Sequence, residues 1–507
     1  MSRLVVVSNR VADPRKAAAG GLAVALADSL KSTGGMWFGW SGAIDAEAAP
    51  GEGKLHLQQA GRVTLATVDL CQEDHDGYYL GYSNDVLWPV FHYRLDLARF
   101  DAGYIAAYRR VNRLFANGLM GLLKPDDIIW VHDYHLIPLA SELRAMGCKN
   151  RIGFFLHIPL PPPLILAAIP QHEWLVRTLF AYDLAGFQTQ ADLQHFSRYV
   201  KAEANATDLG NYRYRAYNRT LRAGAFPIGI DVEEFEALTR GSEAREMHEN
   251  MTREYSRRKL LLGVERLDYS KGLPQRVKSF QTLLKKYPEN IGSATLIQIA
   301  SPSREDMGAY TDLRQELESL CGAINGNWGE LDWMPVRYMH RNVARKKLPG
   351  LYRAAQVALV TPLRDGMNLV AKEFIAAQDP ENPGVLVLSR FAGAAEQLEY
   401  ALLVNPYDID GTAETIQQAL QMPLRERQAR HGKLLAQIRR QDVHWWRKSF
   451  LAALASADST DRRAQITVLQ SPAGSADFSS LPAPEQRSRP LDHPDQPPAV
   501  ERRRSQP

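Results

Sequence analysis

KLLLGVERLDYSKGLPQRVKSFQTLLKKY (259–287) reads as one complete strand, loop and helix. The apolar run KLLLGV (259–264) has the length and the Leu/Val content of a buried parallel strand. Gly272 and Pro274 punctuate the loop, and LPQRVKSFQTLLKKY (273–287) then spaces its apolar residues for a helix. The same alternation runs in both directions. LVVVS (4–8), DIIWV (127–131), IGFFL (152–156) and LAGFQ (184–188) precede this unit. ATLIQIA (294–300), VALVT (357–361) and VLVLS (385–389) follow it, and helical spacing such as LAVALADSL (22–30) lies between the apolar runs. Strands alternating with helices predict an α/β protein with parallel sheets.

At 507 residues the chain exceeds a single core and fits two domains of about 200 residues each. FPIGIDVEEF (226–235) reads as a strand end, a Gly turn and an acidic helix start, and a polar stretch follows before the strand at Lys259. The break places one domain at 1–235 and a second at 236–457, with HWWRKSFLAALASA (444–457) as a helix whose apolar face needs a partner. From 465 to 507 the chain turns rich in Pro, Ser, Gln and Arg. Such a segment cannot bury enough surface to offset the ordering of its backbone, so it is read as a disordered tail. No internal repeat is visible.

Formal net charge is +4, too balanced to argue for a nucleic-acid surface. Cys71, Cys148 and Cys321 stand far apart, which supports neither a zinc knuckle nor a disulfide scaffold and fits a reducing cytoplasm. The most apolar long stretch, residues 152–169, is interrupted by His157 and by Pro159, Pro161, Pro162 and Pro163, so no membrane helix is expected.

Candidate chemistry clusters where strands end, which is where open α/β sheets bind ligands. Arg10 closes the first strand, and Gly20-Gly21 precede the next helix. A glycine pair there lets backbone N–H groups approach a phosphate, or simply makes a turn. His132-Asp133-Tyr134-His135 follow DIIWV. Alternate side chains of an extended stretch face opposite ways, so a substrate-binding Asp133 is preferred to a metal site. His157, after IGFFL, is either a structural histidine or a ligand contact. Arg266 and Lys271 suit a diphosphate, with a surface charge cluster as the plain alternative. Arg304 in SPSRED is a further phosphate arginine.

TPLRDGMNLVAKEF (361–374) is the strongest segment. A helix is expected to open near Gly366, with Asp365 at its mouth and Glu373 two turns inside on a similar face. Amides from Gly366 to Leu369 would meet a diphosphate. Paired carboxylates also suggest a glycosidase, but two at one helix start suit the holding of hydroxyls better. Asp408-Ile409-Asp410-Gly411-Thr412 matches the DxDGT of haloacid-dehalogenase-type phosphatases. Asn405-Pro406-Tyr407 breaks the strand before it, and too little chain follows for such a domain.

Taken together, SNR, AGGL, WFGWSG (37–42), SNDVLWPVFHYR (83–94), WVHDYHL (130–136) and GFFLHIPLP (153–161) resemble the UDP-forming α,α-trehalose-phosphate synthases. PIGID (227–231), ERLDYSKGLP (265–274), TPLRDGMNLVAKE (361–373) and LVNPYD (403–408) continue the resemblance in the family's order over residues 1–455. It implies a GT-B fold, two Rossmann-like domains facing across a cleft, with the last helix crossing back to the first domain. It also implies transfer of glucose from UDP-glucose to glucose 6-phosphate with retention, giving trehalose 6-phosphate. No cofactor or metal is implied, and neither a nucleic-acid nor a membrane partner. A homo-oligomer is allowed.

By position, the resemblance assigns the acceptor to Arg10, Tyr79, Trp88, Asp133 and Arg304. Arg10, Tyr79 and Arg304 would hold its phosphate, and Asp133 a sugar hydroxyl. The donor falls to Gly20, Gly21, His157, Arg266, Lys271, Val343, Asp365, Gly366, Met367, Asn368, Leu369, Val370 and Glu373. Arg266 and Lys271 would take the diphosphate, Asp365 a glucose hydroxyl and Glu373 the ribose. Arg266, Lys271, Asp133, His157 and Asp365 are the catalytic candidates. RNVARK (341–346), around Val343, matches the base-contacting string only loosely, and the loop between Arg10 and Gly20 is short. Two rival readings are a pseudo-disaccharide synthase with a cyclitol acceptor, and a sensor that binds sugar phosphate without turnover.

Overall fold

The computed structural model describes residues 2–12, 26, 30, 34–304 and 307–457, and these described residues belong to one unit. Gly20, Gly21, most of the expected helix at 22–30 and the expected tail at 465–507 lie outside the described residues; Leu26 and Leu30 are helical and buried.

Two sheets organise the unit. The first contains β1 (Leu4–Arg10), β2 (Gly35–Ile44), β3 (Leu55–Ala60), β4 (Val63–Leu70), β5 (Ile128–His132), β6 (Arg151–Phe155), β7 (Leu184–Phe187), β8 (Thr207–Asp208), β9 (Arg213–Ala216) and β10 (Arg219–Ala225). Their order is β3-β4-β2-β1-β5-β6-β7-β10-β9-β8. The middle of this sheet is parallel, as the buried apolar runs predict, but its edges are not: β3 pairs antiparallel with β4, and β9 with both β10 and β8. Connections this short permit only antiparallel return. Gly61 (φ +62°) turns β3 into β4, and Tyr217-Asn218 (φ +52° and +56°) turn β9 into β10, the positive pair of a tight hairpin.

The second sheet contains β11 (Lys259–Arg266), β12 (Ala294–Ser301), β13 (Val336–Met339), β14 (Val357–Val360), β15 (Val385–Ser389) and β16 (Leu402–Val404). Its order is β13-β12-β11-β14-β15-β16, parallel throughout. Counted within this sheet the order is 3-2-1-4-5-6, that of a doubly wound dinucleotide-type fold, whose crevice opens where the winding reverses. The reversal falls between β11 and β14. In the first sheet it falls between β1 and β5. These four strands end in Arg10, in His132-Asp133, in Arg266 to Lys271 and in Thr361 to Asn368.

The connection between the sheets is helical. Asp231 caps the helix Val232–Thr239 by accepting from the Glu234 N–H at 2.9 Å. The polar stretch after it, for which no element was expected, forms the helix Ser242–Glu254, anchored through Ala244, Met247 and Met251. The last helix, Val443–Ala455, returns to the first sheet. Phe450 stacks on Trp130 at 4.9 Å and packs over Gly153 and Gly186, where a Cβ would strike its ring. The DxDGT string holds the fold here: Asp408 caps the helix Ile409–Gln421, and Asp410 pairs with Lys286 at 2.8 Å. No helix among the described residues is long and apolar enough to cross a membrane.

Candidate active site

On the side of the first sheet, Arg10 is exposed at the end of β1, its guanidinium carbon 5.6 Å from the Trp40 ring centre. Residues His75–Leu87 wind as a π-helix, a wide and uncommon turn that tends to mark functional sites. It carries Tyr79, which stacks on His135 at 6.0 Å and lies 5.7 Å from Trp40. Trp88 follows, buried and 4.1 Å from His92.

Asp133 leaves β5 with φ +75°, a conformation that costs a non-glycine residue energy and tends to persist at functional positions. Its Oδ1 accepts the His157 N–H at 3.2 Å. Burial lifts its pKa to about 6, against the pull of two backbone hydrogen bonds and of Arg304 and Arg266. His157 is held neutral by burial, its pKa pushed down to about 3. Its Nε2 lies 3.0 Å from His132 Nδ1 and its Nδ1 3.4 Å from Gln188 Nε2. Gln188 can only donate there, so by this bonding pattern the proton sits on His157 Nε2 and His132 Nδ1 accepts.

On the side of the second sheet, Arg304 (φ +49°) places its guanidinium carbon 4.0 Å from the centre of the Trp88 ring. Arg266, exposed at the end of β11, lies 5.6 Å from the same ring. One tryptophan on the side of the first sheet therefore faces two cations on the side of the second. Arg304 also donates to Tyr310 Oη at 2.6 Å, to Tyr134 Oη at 3.2 Å and to Asp268 Oδ2 at 3.4 Å. Lys271 Nζ donates to Asp365 Oδ2 at 2.5 Å, and Asn368 Nδ2 to the same oxygen at 3.1 Å. Burial would raise the Asp365 carboxyl, but the Lys271 charge and hydrogen bond outweigh it and hold it below the usual range. Glu373 is different: burial lifts it to about 7, opposed by Arg345 and by the Tyr352 hydroxyl, which donates to Oε2 at 3.3 Å.

The helix expected to open near Gly366 starts later, as Leu369–Ala377, with Asn368 as its cap at φ +85° accepting the Ala371 N–H at 3.2 Å. The delay has a steric cause. Gly366 is pressed between the His157 carbonyl, which a Cβ would strike, and Gly393, and Asp365 bridges to Ala392. Asp365 thus precedes the helix, so the shared-face argument relating it to Glu373 does not apply. Of the remaining donor candidates, Met367 is buried, Leu369 and Val370 open the helix half-buried, and Val343 is half-buried in the loop after β13.

A family model describing Glycosyltransferase family 20 matches residues 5–456. The chain belongs to glycosyltransferase family 20. It is 49% identical over 456 residues to a trehalose-6-phosphate synthase of Klebsiella pneumoniae, covering 90% of this chain and 95% of that one. A Burkholderia xenovorans α,α-trehalose-phosphate synthase (UDP-forming), solved in complex with glucose-6-phosphate, is 51% identical with a TM-score of 0.87, over 90% of this chain and all of that one, 100%. A trehalose-6-phosphate protein from E. coli bound with UDP-2-fluoro glucose is 47% identical with a TM-score of 0.85, over 90% of this chain and 99% of that one. The family shares the two-sheet GT-B architecture described above.

Several residues around the family 20 cleft escaped the sequence reading. Asp268 is fully buried and holds Arg304, and the buried Arg276–Glu265 pair (2.7 Å) lies beneath the Lys271 loop, with Arg276 also donating to the Lys271 carbonyl at 3.3 Å. Gln188 and Tyr352 hold His157 and Glu373 in the same way. Most of them sit inside or beside the quoted strings at strand ends, so their position was visible; which groups they pair with, from 11 to 36 residues away, was not.

Proposed function

We propose that this chain transfers glucose from UDP-glucose to glucose 6-phosphate with retention, releasing UDP and α,α-trehalose 6-phosphate, in the cytoplasm. Membership of family 20 and the relatives at about half identity support the reaction. The observation that carries it to named residues is the meeting of Trp88 with Arg304 and Arg266 at the edge where the two reversal points face each other. The part before residue 236 takes most of the acceptor and the part from 236 to 457 most of the donor, with Arg304 serving the acceptor and His157 the donor from across the cleft.

In this reading Arg10, Tyr79 and Arg304 hold the acceptor phosphate, Asp133 a sugar hydroxyl, and Trp88 the sugar face. Arg266, Lys271 and the amides from Gly366 to Val370 take the diphosphate. Asp365 binds a glucose hydroxyl, His157 lies beside the glucose, and Glu373 receives the ribose. The bond from C1 of glucose to the diphosphate oxygen breaks, its electron pair leaving with UDP. The acceptor 1-hydroxyl oxygen attacks C1 on the same face, and its proton passes to the departing diphosphate oxygen. Negative charge grows on that oxygen, where Arg266, Lys271 and the helix start at Leu369 already offer positive charge. Preorganised groups of this kind contribute roughly 3–4 kcal/mol each to catalysis. They supply the charge a divalent metal would otherwise bring.

The test is nucleotide release by purified protein from UDP-glucose, with and without glucose 6-phosphate, in EDTA. Release of UDP only with both substrates, with trehalose 6-phosphate as product, is expected. Release with a cyclitol acceptor instead would point to a pseudo-disaccharide synthase, and binding without release to a sensor.

A further inference from the structure

We infer that Gly42 is a positioning residue for the acceptor phosphate, because its missing side chain makes the slot in which the Arg10 guanidinium lies. The inference rests on the reading of Arg10 as a phosphate arginine. The pairing of β1 with β2 is regular from Val5 to Val7 and shifts before Arg10, which pairs with Trp40. The pairing of β2 with β4 shifts in turn between Trp40 and Ile44. β2 therefore bulges at Ser41-Gly42-Ala43, and a bulge of this kind re-aims the side chains around it. Trp40 Nε1 donates to the Ala43 carbonyl at 2.8 Å, Ser41 Oγ accepts the Ala43 N–H at 2.9 Å, and the Ser41 hydroxyl donates to Asp69.

Gly42 stands at the top of this bulge with φ +90°, a conformation open chiefly to glycine. A Cβ on it would lie 2.6 Å from Arg10 Nε and 2.7 Å from Arg10 Cζ, with no backbone atom among its three nearest neighbours. Trp40 makes the other wall, 5.6 Å from Arg10 Cζ. The slot thus sets where the two outer nitrogens of Arg10 point. The atoms in the way are the far end of a flexible side chain, so the space an alanine needs is taken from Arg10, and its φ adds a backbone strain that a control must match.

The experiment compares Gly42→Ala, Arg10→Ala and the double variant, with Gly61→Ala as a control. Gly61 has φ +62° and nothing within 4 Å of its Cβ position, so it carries the same kind of backbone strain without touching Arg10. Steady-state constants for each substrate are measured beside the thermal midpoint. Gly42→Ala is expected to raise the KM for glucose 6-phosphate at least about tenfold and to leave the KM for UDP-glucose within about twofold. The double variant should be no worse than Arg10→Ala, as expected when one residue acts through the other. Ser41→Ala, which loosens the bulge without adding atoms, should also raise the acceptor KM, and this effect should vanish on the Arg10→Ala background. The inference is overturned if Arg10→Ala raises the acceptor KM while Gly42→Ala and Ser41→Ala leave it unchanged, or if the effects multiply. An unchanged acceptor KM in Arg10→Ala would instead remove the acceptor role of Arg10, and the inference with it.

Discussion

Lys271 Nζ lies 2.5 Å from Asp365 Oδ2, joining the loops that follow β11 and β14, the two strands between which the second sheet reverses. Both side chains are largely buried, so the pair is a fixed feature of the crevice rather than a surface contact. The Lys271 charge and hydrogen bond hold the Asp365 carboxyl below its usual range, and in the proposed reaction this lysine is the cation beside the leaving diphosphate.

Lys271→Ala removes that cation and leaves a buried carboxylate without its counter-charge. Loss of one preorganised donor should lower kcat by roughly two to three decades. Lys271→Arg retains the charge but not the geometry and should fall between. Initial-rate kinetics at saturating acceptor read both effects.

Burial lifts the Glu373 carboxyl to about 7, and in the proposed reading only its ionised form is a pure acceptor for the ribose hydroxyls. The KM for UDP-glucose should therefore rise as pH falls from 8 to 6, and the step should be absent in Glu373→Gln. The same shift runs the other way for stability. A carboxyl whose folded pKa lies above its unfolded value stabilises the fold at low pH and loses that contribution as pH rises through about 7. Donor titrations across pH, paired with thermal melts, separate the two effects.

Gly366 touches the His157 carbonyl so closely that any side chain must displace backbone on one side. Gly366→Ala should shift the donor loop, and misplacement on the order of 1 Å can cost about 100-fold in rate. kcat/KM is expected to fall by at least that much, with the thermal midpoint read beside it to separate a local shift from unfolding. A near-normal kcat/KM would show that the loop tolerates the displacement.

Lys372 is buried beside Glu373, its Nζ donating at 2.6 Å to both the Ile228 carbonyl and Gln397 Oε1. Gln397 in turn donates to Gln441, and the Val443 N–H donates to the Ile230 carbonyl, so this ammonium ties the helix Leu369–Ala377 to both chain crossings between the sheets. Burial depresses its pKa to about 7. The folded value lies below the unfolded one, so the unfolded chain holds more protons between about pH 7 and 10, and stability from this group increases with pH across that window. Lys372→Met orphans both acceptors, at about 1–3 kcal/mol each. Its stability should fall progressively further behind the parent protein as pH rises from 7 to 9, read by urea unfolding.

The linear sequence determined the central parallel strands β1, β5, β6, β7, β11, β12, β14 and β15 and helices such as LPQRVKSFQTLLKKY, because each carries its hydrophobic period within a few residues, but not the edge strands or the polar helix Ser242–Glu254. It also determined that Arg10, Asp133, His157, Arg266, Lys271 and Asp365 follow strands, and through its ordered strings it determined the family. Strand order was decided only by the tertiary structure. It depends on crossovers of tens of residues, and that order brings β11 beside β14 and so Lys271 to Asp365, 94 residues apart. The late helix start at Leu369, the stacking of Arg304 on Trp88 and the slot of Gly42 around Arg10 belong to the same class. Each is set by atoms distant in the chain that compete for one space, and no local propensity encodes that competition.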